Sequence, residues 1–380
     1  MKTFHCTQCG FVAFFENSTC GNCGAALGFV PEELAIAAFE IQENGAWRRL
    51  GVDAALVNPF DWQPCANYSQ HQVCNWMGRV EEGKALCRCC RHTEDIEAIA
   101  VDDPDSKAAW FKLEAAKRRL FYSLYRLGLP VDDENGSVPL LFHFRGGNGE
   151  KATTGHLHGT ITLDIAEADD GTRETRRVQL GEPYRTLLGH FRHEIGHYYW
   201  DRLIARGPRL QDFRALFGDE TQDYAAAAAA HYAKGAPADW AERHISAYAA
   251  MHPWEDWAET WAHYLHITDA LDTAAHWGFA LHSDQAAGGP ADVPAVGGSG
   301  RPFRQVLLEQ WLPLSQFLNS MGRSLGQGDA YPFVIATAVL DKLCFVHQVV
   351  EEARAASAAT ARAGTPPADP AADIPPGGAA

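Results

Sequence analysis

Four cysteines in the first 23 residues constrain this chain more than any other feature. Cys6-x-x-Cys9 and Cys20-x-x-Cys23 stand ten residues apart, and each pair is followed at once by a glycine, Gly10 or Gly24. Two short knuckles of this kind bring four thiolates to the corners of a tetrahedron, and the glycines permit the tight turns. A segment this short cannot build a core without an ion, so residues 1–28 read as a ribbon around a closed, structural zinc site. The ribbon has only Lys2 as a basic residue before Arg48, too little charge for a nucleic-acid face.

A second group follows in "PCANYSQHQVCNWMGRVEEGKALCRCCRH". Cys87-x-x-Cys90 is a knuckle pair, and Cys65 and Cys74 complete four sulfurs. Cys89 is then the extra thiol, and His71 and His92 are possible substitutes. Residues 29–104 are thus expected to be a linker plus a second zinc module, giving one or two structural zinc ions. Nine of the ten cysteines precede residue 91, and Cys344 stands alone. Crowding at one end fits metal sites better than a disulfide framework.

The chain has 380 residues and 46% hydrophobic content, enough for one large core with an appendage. A formal charge of −16 makes nucleic acid an unlikely partner. No apolar run approaches the ~20 residues needed to span a bilayer. No charged-then-apolar leader precedes the first cysteines, so no membrane association and a cytoplasmic location are expected. The body, residues 105–350, is read as mostly helical. "DSKAAWFKLEAAKRRLFYSLYRLG" is amphipathic, with Ser106 as its cap and Gly128 as its stop. "VPLLFHF" and "GTITLDIAEA" read as strands, the second with Ile161, Leu163 and Ile165 alternating with polar residues. Helices are expected through "EPYRTLLGHFRHEIGHYYWDRLIA", with Pro183 in its first turn, through "DYAAAAAAHYA", and from "HPWEDWAETWAHYLHI". Residues 283–302 read as a long loop. The Ala/Pro-rich end, residues 351–380, is expected to be disordered.

Within "HFRHEIGHYYW", His193 and His197 are four apart, so on a helix they share one face. Both imidazoles can reach one zinc ion. Glu194, turned about 100° around the axis, can hold a water and take its proton as it attacks a peptide carbonyl. The apolar neighbours Leu187, Leu188, Ile195, Tyr198 and Leu203 argue against a chance match, because buried His and Glu need partners. His190 lies near the same face and is assigned a supporting role behind the ligands. A catalytic zinc takes three protein ligands. The best further donor is Glu255, with Glu259 holding a ligand histidine by its free N–H; the reverse assignment, or Asp256, remains open.

These blocks also carry a resemblance. "PCANYSQHQVCNWM", "GHLHGTITLDIAEADD", "GHFRHEIGHYYWDRL", "FGDETQDYAAA" and "HPWEDWAETWAHYLHITD" occur together and in order. They are similar to a bacterial family of zinc-binding metallopeptidases with an N-terminal zinc ribbon. "HEIGH" followed far downstream by "EDWAE" resembles the pattern of gluzincin peptidases, in which the downstream glutamate binds zinc. The resemblance implies an α+β fold: a zinc ribbon, then a mostly helical gluzincin-like domain with a small β-sheet. It carries over His193, Glu194 and His197, and with them Glu255. It also implies that "GTITLDIAEADD" forms the rim of the cleft and pairs with extended substrate.

Other candidates are less defined. His156 and His158 read as surface residues, with substrate contacts as the alternative. Tyr248, His252, His263 and Tyr264 are open choices for stabilising an oxyanion. Asp219, Glu220 and Asp223 read as a helix start with capping acids. The expected function is hydrolysis of a peptide bond in a peptide or protein substrate, with one catalytic zinc. The alternative is a zinc-ribbon adaptor or regulator whose histidine site is closed and non-catalytic.

Overall fold

The computed structural model describes residues 2–97, 103–131, 139–146, 154–180, 185–280 and 300–363. The fold is α+β: a cysteine-rich N-terminal region of short strands, then a helical domain with one small sheet.

Knuckle turns keep the first strands short. β1 (Phe4–His5) pairs antiparallel with β2 (Val12–Ala13) across the first knuckle. β3 (Ala26–Val30), β4 (Ala35–Ile41) and β5 (Trp47–Arg49) form an antiparallel sheet. β6 (Trp62–Pro64) and β7 (Met77–Arg79) pair around the one-turn helix α1 (Ala66–Ser69) and Cys65 and Cys74 of the second cysteine group. The boundary expected at residue 28 falls inside β3, and the two cysteine groups belong to one packed unit. Phe29 bridges to Trp76. The Tyr68 hydroxyl donates to the carbonyls of Ser18 (3.0 Å) and Leu27 (2.7 Å). The Asn75 amide donates to Phe15 at 2.6 Å. Two small metal modules share one apolar core that neither could fill alone.

That core continues onto α2 (Pro104–Arg126). Tyr122 lies among the rings of Phe4, Phe15 and Phe29. The cap of α2 is Asp103, which accepts from the Ser106 backbone at 2.9 Å, with Pro104 in the first turn; the assignment of the cap to Ser106 is corrected.

β8 (Thr93–Ile96), β9 (Leu141–Arg145), β10 (Gly155–Leu157) and β11 (Thr160–Asp164) form one sheet in the order β10-β11-β9-β8. Ile161 and Leu163 are buried, as their alternation required. β11 is paired on both sides, antiparallel to β10 and parallel to β9. It therefore has no free edge for substrate; among the described residues the edge strands of the sheet are β10 and β8. His158 and Gly159 join β10 to β11 with φ of +48° and +85°, the left-handed pair that a two-residue hairpin turn needs.

The remaining helices are α3 (Asp170–Leu180), α4 (Leu187–Leu203), α5 (Leu210–Phe217), α6 (Tyr224–Lys234), α7 (Trp240–Arg243), α8 (Pro253–His276), α9 (Phe303–Val306), α10 (Leu312–Ser324) and α11 (Thr337–Ala363). A π-helical turn, Leu307–Trp311, joins α9 to α10. α4 starts at Leu187, capped by Thr186; Pro183, expected in its first turn, is among residues 181–184, which lie outside the described set. α11 continues to Ala363, past the expected start of the tail, because alanine and arginine favour helix even without a core to face. Residues 364–380, and 283–299 of the expected loop, lie outside the described residues.

α4 and α8 cross closely, and Gly196 is the reason. A Cβ there would meet Ala258 Cα at 2.9 Å. The Trp257 indole donates to the Gly196 carbonyl at 2.9 Å, and Tyr199 stacks on Trp261. Further along, Asp269 of α8 is held by Arg192 of α4 and by Ser123 (2.5 Å) and Arg126 (2.9 Å) of α2. Burial pushes the Asp269 carboxyl up, but the two guanidiniums and the hydroxyl outweigh it and hold the group below the usual aspartate range.

Candidate metal centres and cleft

Three clusters of ligand atoms converge among the described residues: Cys6, Cys9, Cys20 and Cys23; Cys65, Cys74, Cys87 and Cys90; and His193, His197 and Glu255, each within 4.8 Å. A tetrahedral zinc site with Zn–S of about 2.3 Å requires sulfurs about 3.8 Å apart. In the first cluster Cys6 and Cys23 are 3.7 Å apart and Cys9 and Cys20 3.6 Å. In the second, Cys74 lies 3.9 Å from Cys87 and 3.6 Å from Cys90. Both donor sets fit zinc. All four thiols of the second set are buried, whereas Cys9 and Cys23 of the first are exposed. His71 lies against Trp110 instead, and His92 Nδ1 faces the Leu140 carbonyl at 2.7 Å, so neither joins a cluster. Cys89 is buried outside the four-sulfur set.

The third cluster is built by the α4–α8 crossing. His193 Nε2 lies 3.2 Å from His197 Nε2 and 3.0 Å from Glu255 Oε2, which is 3.6 Å from His197 Nε2. Glu259 Oε1 sits 2.8 Å from His193 Nδ1, and its other oxygen accepts from Ser246 at 2.6 Å. That contact takes the Nδ1 proton and leaves the Nε2 lone pair directed at the cluster. Glu255 Oε1 accepts from the Tyr224 hydroxyl at 2.9 Å. Glu255 Oε2 is buried without a hydrogen-bond partner, an acceptor with two ring nitrogens around it. Such an oxygen is costly unless a cation occupies the space, so this donor set also fits zinc. Burial alone would neutralise these groups. The imidazoles nevertheless hold Glu255 well below the carboxylate range, and Glu255 and Glu259 draw His193 well above the histidine range.

The other two acids and the ring candidates fall elsewhere. Asp256 turns away to Lys342 of α11 at 2.5 Å and to His244 at 3.1 Å. His263 Nδ1 meets the Tyr331 hydroxyl at 2.8 Å, and Tyr264 meets His347. His252 caps α8 through the Trp254 backbone. Of the four oxyanion candidates only Tyr248 lines the cleft, a space of about 410 Å³ that also reaches His193, Glu194, His197 and Glu255. Trp200, Asp201, Tyr224 and Trp254 form further wall. Near Tyr224, Asp223 caps α6 and Glu220 pairs with Arg214 at 2.5 Å, the capping and pairing roles of an acidic turn.

The expectation of a surface position is corrected for His156, whereas His158 is exposed, at the edge of the cleft. The tight β10–β11 turn brings both to the cleft. The His156 side chain is largely covered, lies nearly parallel to the His197 ring, and accepts from Gly159 at 3.0 Å. Burial lowers its pKa to about 4. Sequence reasoning missed Tyr224 as a partner of Glu255, and missed Glu167, which faces His190. Tyr224 opens a helix, and Glu167 sits just after the strand in "TLDIAEADD", where four acids in nine residues gave no signal that singled it out.

Residues 106–349 match the family described as "Putative zinc-binding metallo-peptidase", and residues 3–101 match a zinc-ribbon domain. The chain belongs to this metallopeptidase family. The ribbon match spans both cysteine clusters, and the metallopeptidase match runs from α2 into α11. An uncharacterized protein of Mycobacterium bovis, and ones from two strains of Mycobacterium tuberculosis, are each 44% identical over 355 residues, 93% of this chain and 96% of theirs. No solved structure matches. No described helix is long and apolar enough to cross a membrane.

Proposed function

We propose that this chain is a zinc-dependent peptidase of gluzincin type. The observation that carries the reading is the unpartnered Glu255 Oε2, placed against two imidazole nitrogens at the floor of an open cleft that Glu194 also lines. His193, His197 and Glu255 hold the ion, and Glu259 orients His193. When bound, zinc supplies a Lewis acid that polarises the scissile carbonyl and lowers the pKa of water. Glu194 takes the proton of the attacking water and delivers it to the leaving amine, so no proton has to reach bulk solvent. Tyr248, which lines the cleft, would supply the hydroxyl that stabilises the developing oxyanion.

An extended peptide or protein segment adds along the free edge of β10, where backbone groups of Gly155–Leu157 border the cleft. The two cysteine clusters hold structural zinc, giving three ions per chain. The cysteines form no disulfides, which fits a reducing, cytoplasmic compartment. The adaptor alternative requires a closed histidine site, and the cleft over the ligand atoms weighs against it.

The test is E194Q. The amide preserves shape but cannot take a proton, so the variant is expected to keep its zinc and lose turnover of casein or a quenched random-peptide mixture by about a thousandfold or more. Retained turnover removes the assigned base.

A further inference from the structure

A line of buried charged groups runs from Glu194 to residues that do not border the cleft. His190, one turn before Glu194 on α4, places Nε2 at 3.5 Å from Glu194 Oε1. Its Nδ1 lies 3.7 Å from Glu167 Oε2. Both of these last two atoms are buried and have no hydrogen-bond partner, so each is the natural partner of the other. Glu167 is fixed from its other side. Its Oε1 accepts from Arg176 of α3 and from Arg185 at 3.0 Å, and Arg176 also holds Asp164 at 2.7 Å. Asp164 in turn caps the short 3₁₀ turn, Ile165–Ala168, that carries Glu167.

Building on the peptidase reading above, we propose that His190 and Glu167 are positioning residues for the general base: Glu167 fixes the imidazole, and the imidazole fixes one oxygen of Glu194. The other oxygen of Glu194 is then free for the reacting proton in a constant orientation. A buried carboxylate without such support rotates about its last torsion, and proton transfer tolerates only about 10–20° of misalignment. An imidazole suits the place because both ring nitrogens can donate, in opposite directions, to two carboxylates.

The surroundings favour that doubly protonated ring. Burial works against the charge on His190, but Glu167 and Glu194 together raise its pKa above the usual histidine value. The other charged or titratable groups facing this line are Arg176, Arg185 and Asp164 around Glu167, and His156 of β10 with His193 and His197 of α4 around Glu194. Glu167 is itself held ionised: burial opposes this, but His190, Arg176 and Arg185 outweigh it.

Two measurements on the full, zinc-loaded chain test the relay. In the first, ¹⁵N-histidine NMR at pH 7 is expected to show His190 with protons on both ring nitrogens. A neutral His190 ring overturns the proposal, and this readout needs no substrate. In the second, H190L is expected to lower kcat on casein by about 30- to 100-fold, with KM and zinc content unchanged. H190Q keeps a donor near the Nε2 position and is expected to recover most of that loss, which a merely structural role would not produce. H190L with wild-type kcat overturns the relay alone if E194Q is inactive; an active E194Q overturns the base itself.

Discussion

The buried cysteine cluster and the histidine cluster both bring their ligand atoms within 4.8 Å of one another, yet they differ in donor count and in access. Cys65, Cys74, Cys87 and Cys90 are all buried. α2 closes over them with buried charged residues: Arg118 donates to the Val73 carbonyl at 2.5 Å, and Lys117 pairs with Glu114 at 3.0 Å. Four sulfurs leave no position for a reactant, and the neighbouring cations offset the charge of a tetrathiolate. His193, His197 and Glu255 supply only three atoms, and a cleft of about 410 Å³ opens above them. Convergence of ligands therefore does not separate a structural ion from a catalytic one. Access and donor count do.

The comparison can be broken in order of expected effect. The largest effect belongs to the cysteine cluster. Zinc bound to such sites contributes on the order of 10 kcal/mol to folding. C90S is expected to lose one zinc and to expose the N-terminal region to limited proteolysis. A variant with unchanged proteolysis and unfolding would make the cluster dispensable.

Next comes the buried network that sets the α2–α4–α8 frame around the histidine site. D269N leaves Arg192 and Arg126 facing a neutral group, at a cost of about 3–5 kcal/mol. Because the Asp269 pKa is depressed in the folded chain, its contribution is complete above the unfolded value of about 3.9 and is lost as pH falls through the folded value. The stability gap between wild type and D269N is thus expected to be flat from neutral pH down to about 5 and to narrow below about 4, as read by denaturant midpoints. A gap that widens on acidification would contradict the depressed value.

The smallest effect on stability is expected at the proposed catalytic ligands themselves. E255Q is expected to lose the histidine-site zinc, lowering metal content by one ion, while the unfolding midpoint moves by the equivalent of about 1–2 kcal/mol. Collapse of the whole fold in E255Q would make this site structural, like the cysteine clusters.

How far the sequence foretold these features follows from the range of the interactions. The cysteine knuckles and "HEIGH" were legible because their geometry is local: spacing within one turn or one helix face sets which atoms meet. Glu255 and Glu259 stand out from Asp256 by the same periodicity, since 255 and 259 share a face of α8 and Asp256 is turned toward Lys342. The pairing of that face with α4 depends on Gly196, whose role is visible only once the crossing exists. Features set by chain reversal stayed hidden. The edge strand beside the cleft is β10 rather than β11, and His156 lies in the cleft rather than on the surface, because of one two-residue turn. Tyr224 and Glu167 reach the site from segments whose local pattern describes only a helix start and a strand end.

The most direct test of the account is anomalous diffraction at the zinc edge from crystals of the full chain. Three peaks are expected, the third bonded to His193, His197 and Glu255 and to no further side chain, with its remaining position facing the cleft. No peak at that place, or a fourth protein ligand closing it, would contradict the central claim.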